Sequence, residues 1–145
     1  MDKIIYLTLE QAKAIHRKTI TYSGGGTYEI LDIDKLDSVL QHIQNDDYYP
    51  TFVDKLTHLF FCTCEFHCFA DGNKRLAITL SLQFLLFNGY LGIAQNFMSI
   101  TENVSYYVAA GKINKELLHK IMIAILDGTY AEDEELKLEI MNAIS

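Results

Sequence analysis

Between Gly72 and Phe87 the chain has no polar face. Leu76, Ile78, Leu80, Leu82, Phe84, Leu85, Leu86 and Phe87 project in nearly every direction around a helix. A helix that is apolar all round has to be enclosed by other elements. A buried strand is the other reading of such a run, but the length of this one and the Asn88-Gly89 stop favour a helix. The fold therefore has to supply enough apolar helix surface to wrap a central helix.

The flanking sequence offers that surface. Thr8 is placed to cap a helix over about 8–19 that carries Leu9, Ala12 and Ile15. Ser23-Gly24-Gly25-Gly26 breaks it, and 27–31 is a short β-prone piece within a loop. Asp34 is expected to cap a second helix with Leu36, Val39, Leu40 and Ile43 inward, and Pro50 to sit in the first turn of a third with Phe52, Leu56, Leu59 and Phe60 inward. Ser99 and Asn114 are expected caps of two further helices, and an acidic amphipathic stretch runs from Glu132 to Ile144. Helices joined by short connections, with almost no strand signal, make the expected class all-α.

Composition narrows the function. The 145 residues favour one domain, and half of them are apolar, enough for a core without disulfides or metal. The net charge of -7 argues against direct nucleic-acid binding, which needs cations to displace counterions from phosphates. The opening residues do not read as a signal peptide, and no apolar run approaches the roughly 18 residues of a membrane span. Cys62, Cys64 and Cys68 are odd in number and close together, as reduced thiols of a cytoplasmic protein would be.

The chemistry-bearing residues gather where the third helix ends and the central one begins, in His67-Cys68-Phe69-Ala70-Asp71-Gly72-Asn73-Lys74-Arg75. A helix N-terminus presents unpaired N–H groups and the positive end of the dipole to an anion. Gly72 permits close approach to the backbone. Lys74 and Arg75 are cations where the dipole disfavours them, so a bound phosphate would account for both. Asp71 is a hard oxygen ligand suited to Mg²⁺ shared with phosphates, and His67 can take a proton near neutral pH. Singly, each also has a structural reading: a capping Asp71, a solvated Lys74-Arg75 pair, a partly buried His67.

The order of these residues resembles the signature of the Fic/Doc family, His-x-Phe-x-Asp/Glu-Gly/Ala-Asn-Gly/Lys-Arg, matched at every fixed position by His67, Phe69, Asp71, Gly72, Asn73, Lys74 and Arg75. The resemblance covers about residues 5–128. It implies an all-α Fic/Doc-type domain over 1–128, built around the central buried helix with a short target-docking flap near Tyr22–Leu31, and an acidic helical extension over 129–145. By position, His67 is implied as general base, Asp71 as the Mg²⁺ ligand, Gly72 and Asn73 as part of an anion hole, and Lys74 and Arg75 as phosphate holders, with Phe69 anchoring the loop.

Two positions resemble the Doc branch. AMP-transferring relatives usually carry Gly where this chain has Lys74, and a second Arg where it has Ile78. The Doc branch implies transfer of the ATP γ-phosphate to a protein hydroxyl, elongation factor Tu being the reported target in Doc, and restraint by a small antitoxin in trans. That antitoxin's helical tail would need an apolar groove. Cys68 and Gly72 depart from the two branches in turn, which leaves AMP transfer as the alternative. Many relatives restrain themselves through a Glu preceded four residues earlier by Ser or Thr, and no Glu of this chain has that spacing. The rival in cis is that the acidic tail covers the groove. A non-catalytic nucleotide-binding module and a zinc cluster of Cys62, Cys64, His67 and Cys68 are further readings. The first two of those cysteines would point roughly 200° apart on a helix.

Overall fold

The computed structural model describes residues 3–22, 33–65 and 73–145. Among the described residues every regular element is helical: α1 (Leu9–Tyr22), α2 (Ile33–His42), α3 (Phe52–Glu65), α4 (Asn73–Phe87), α5 (Ala94–Ala109), α6 (Lys115–Asp127), a 3-10 turn (Tyr130–Glu132) and α7 (Glu134–Ile144). The β-prone piece at 27–31 lies outside the described residues.

Cap chemistry sets most helix starts. The Gln11 N–H donates to Thr8 Oγ1 (3.1 Å) while the Thr8 N–H donates to Gln11 Oε1 (2.9 Å), a reciprocal box that starts α1. Thr51 and Asp54 make the same exchange at α3, each N–H reaching the other side chain at 3.1 Å. Pro50 therefore precedes the cap instead of occupying the first turn. Asp34 sits inside the first turn of α2, not at its cap. Asn114 and Asp133 cap α6 and α7 by accepting from Leu117 and Leu136.

Ser99 does not start α5. The helix begins five residues earlier behind Ile93, which makes no side-chain cap. Phe97 is wholly buried in that extra turn. Burying a Phe side chain is worth about 1.5–3 kcal/mol, more than the ~1 kcal/mol of a typical cap. At the far end of α4, Gly89 takes φ +89°, and the Tyr90 and Gly89 N–H groups bond back to Leu85 and Leu86. That Schellman closure needs the left-handed conformation glycine reaches without strain.

Two helices form the centre. α4 buries Leu76, Ala77, Leu80, Ser81, Phe84 and Leu85, and α3 buries Leu56, Leu59, Phe60, Cys62 and Cys64. They run antiparallel: Phe52 at the start of α3 stacks on Phe84 near the end of α4 (4.8 Å) and on Tyr90 (5.0 Å). α1 is antiparallel to α4 as well. The Asn88 side chain bonds both the N–H and the carbonyl of Ile5 (2.8 and 2.9 Å), and Thr19 meets Thr79 further along (3.1 Å). One core runs from Leu7 through α6 to Leu136 of α7. The end of the bundle opposite the aromatic stack thus gathers the C-terminal ends of α1 and α3 and the N-terminal end of α4. No helix among the described residues is long and apolar enough to cross a membrane.

Candidate nucleotide site

At that end α4 opens with Asn73-Lys74-Arg75. Asn73 is half-buried, Lys74 and Arg75 are exposed, and the first turn contains no Asp or Glu. The cations stand against the positive end of the helix dipole, with no carboxylate in their own turn to offset them. Of the sequence-predicted site, the structure describes these three. His67, Asp71 and Gly72, like Cys68 and Phe69, lie outside the described residues, as does 23–32 of the expected flap.

The end of α3 lies beside this turn. Burial, and then the Glu65 charge, push the Cys64 thiol up to about 12, and the Lys74 ammonium acts against that rise. Cys64 is thus a protonated, unreactive thiol, its Sγ 3.8 Å from the Ser105 carbonyl. Cys62 points elsewhere, with its Sγ 3.5 Å from His58 Nε2. The two cysteines of the zinc reading therefore face different neighbours, and no group of three or more possible ligands among the described residues is placed to hold a metal.

A groove of about 780 Å³ runs along α4 from Arg75 to Leu86, walled by α1 and α5. Ile78, Leu82 and Leu86 form its apolar floor, with Ile15 and Met98 on the walls and Lys18, Thr19, Thr79 and Glu102 at polar points. Ile78 thus puts a hydrocarbon surface on the groove where a second Arg would put a charge. None of the lining residues comes from 129–145. The tail is docked on α6 instead, through buried Leu136 and a Lys120–Glu139 ion pair of 3.0 Å.

Sequence reasoning missed the α1 wall. Lys18 and Thr19 belong to a helix read only for its apolar positions. The available signal was their place one turn beyond Ile15, on the same side of the helix.

A comparison with curated proteins finds no match. A model of the Fic/DOC family matches residues 6–85, more than half of the chain, from the segment preceding α1 through most of α4. Proteins of that family use ATP as substrate and in general transfer nucleotide-derived groups to proteins. The match ends near the close of α4 and spans the helices that frame the motif. On that match the chain belongs to the Fic/DOC family of nucleotide-dependent protein-modifying enzymes.

Proposed function

We infer that the chain is a Doc-like kinase that moves the γ-phosphate of ATP to a hydroxyl of a target protein such as elongation factor Tu. The observation that carries this reading is the pairing of Lys74, exposed beside Arg75 on the first turn of α4, with Ile78 on the groove floor. Gly at position 74 would leave room for one pose of the triphosphate. A bulky cation favours the reversed pose, with the γ-phosphate beside His67. Arg75 can hold phosphate oxygens in a bidentate fork and Lys74 as a point charge. Gly72 and Asn73 complete the anion hole with backbone N–H groups.

In this reading His67 accepts the proton of the target hydroxyl as its oxygen attacks the γ-phosphorus, and ADP leaves with the bridging oxygen. The first turn of α4 holds no carboxylate, and Asp71, two residues before Asn73 in the motif, is the proposed metal ligand. Mg²⁺, when bound there with the phosphates, supplies neutralisation of the charge developing on their oxygens.

The groove suits a regulator in trans. Ile78, Leu82 and Leu86 recur at four-residue spacing and offer a stripe against which one face of an amphipathic helix packs. A small antitoxin with such a helix is the proposed partner. Residues 1–128 are proposed as the catalytic domain and 129–145 as an appended helix.

The second reading is AMP transfer, favoured by Gly72 where Doc carries Ala. One comparison separates the readings: cell extract with the purified chain and either γ-labelled or α-labelled ATP. Label from the γ position on a Thr or Ser is the expected result. Adducts of AMP mass would overturn the kinase reading, and transfer of neither label would leave a nucleotide-binding module.

A further inference from the structure

We propose that Lys18 of α1 and Glu102 of α5 are a split charge pair on the groove walls that selects the flanks, and so the direction, of a partner helix docking there. Among the described lining, the α1 wall carries one charged residue, Lys18, and the α5 wall one of opposite sign, Glu102; both are exposed. Neither forms an ion pair with a described residue. The apolar floor of Ile78, Leu82 and Leu86 lies between the two walls. A helix seated on that floor gains from both charges only when it offers an acid to α1 and a base to α5.

The packing sets both charges alongside the floor. Lys18 precedes Thr19, whose hydroxyl meets that of Thr79 at 3.1 Å, and so stands at mid-groove. α5 runs parallel to α3, since Phe60 packs on Phe97 (6.5 Å) and Cys64 Sγ on the Ser105 carbonyl (3.8 Å). It is therefore antiparallel to α4, and Glu102 stands one turn nearer the Arg75 end of the groove than Met98 does. From Ile78 to Leu86 is ~12 Å of helix axis, against which about two turns of a partner helix pack. The residues on either side of such a helix's apolar stripe face opposite walls, and turning the helix end for end exchanges them. Walls of like charge would not distinguish the two directions; walls of opposite charge favour one.

This assignment rests on the reading of the groove as the seat of a regulator in trans, and the test keeps the two apart. The probe is a neutral, labelled amphipathic peptide of about 20 residues, long enough to form a helix in water. It carries Leu at four-residue spacing, Glu on one flank of the Leu stripe and Lys on the other. Fluorescence anisotropy gives its affinity for the full chain and for Lys18→Glu, Glu102→Lys, the double reversal and Leu82→Arg, with circular dichroism to confirm folding. Each single reversal is expected to weaken binding roughly three- to tenfold, the scale of an exposed ion pair turned into a repulsion. The double reversal should restore most of the loss, because the peptide binds end for end. Unchanged affinity in the single reversals, or a double reversal no better than either, overturns the charge assignment alone. A wild-type chain that does not bind the peptide, or that binds it no better than folded Leu82→Arg does, overturns the helix-docking reading itself. A chain that dimerises on its own and loses the dimer in Leu82→Arg would give the groove to a second copy and overturn the partner in trans.

Discussion

Lys74 and Arg75 illustrate what a short motif conveys at the scale of single residues. Their charge opposes the dipole of the helix they begin, and the structure leaves both exposed with no acid in their turn. That conflict was visible in the sequence, because the helix start follows from the apolar run behind it. His67 belongs to the same argument. It is the one ring base of the motif, so His67→Ala should lower transfer by about 10²–10⁴-fold, the range of a lost general base. Helicity by circular dichroism and ATP affinity by calorimetry should stay near wild type. Near-normal transfer by the variant would remove His67 from the mechanism. Lys18 was not legible in this way. Nothing local marks a lysine on an ordinary amphipathic helix, and its place on the groove wall exists only once α1 packs against α4.

At the scale of elements, α3 and α6 are joined through a buried histidine. Lys115 donates to His58 Nδ1 at 2.7 Å, so the ring proton sits on Nε2, which faces the Tyr49 hydroxyl at 3.3 Å. His58 is 8% exposed. Burial, then the charges of Lys115 and His42, bring its pKa down from 6.5 to about 4. Cys62 on its own helix and Tyr49 on the preceding turn are the other groups in contact with it. Because the folded value is depressed, the unfolded chain binds the proton more readily. The contribution of neutral His58 is present above about pH 6.5 and is lost as pH falls towards 4, on the order of 3 kcal/mol in all. Thermal melts between pH 7.5 and 4 should show this loss in the wild type and a flatter profile in His58→Asn. Identical profiles would show that His58 does not govern the acid sensitivity. Asp54, held low by Thr51 and His119 despite its burial, is lost only below that window. The sequence placed α6 correctly through Asn114, because a cap is local, and found α3 through its apolar spacing while setting Pro50 inside a first turn that the Thr51–Asp54 box in fact starts after it. It missed the early start of α5, where core burial of Phe97 prevails over the cap offered by Ser99.

For the whole molecule the question is whether the tail is regulator or support. α7 buries Leu136 and leaves Ile140 and Ile144 half-buried against the core, while Leu138 and Met141 are exposed. Deleting 129–145 should therefore cost stability on the order of 3 kcal/mol, from the lost apolar burial. ATP affinity and transfer rate, measured below the lowered melting temperature, should be unchanged, because the groove is lined without these residues. A marked rise in either would make the tail an inhibitor in cis and would remove the need for an antitoxin.

The sequence alone determined the helical class, the central place of α4 and the ordered motif. Each rests on information carried within one or two helical turns: an all-round apolar run, a capping pair, a fixed spacing of a ring base, a carboxylate and two cations. The tertiary structure decided what depends on residues far apart in the chain. It made α3 the second central helix, docked the tail on α6 away from the groove, turned Cys62 and Cys64 to different neighbours, and set Ile78 and Lys18 around one cavity with Arg75. The physical reason is that burial is a property of pairs of helices. Periodicity shows which face of a helix is apolar, but only packing chooses the partner that covers it and which faces are left to form a groove.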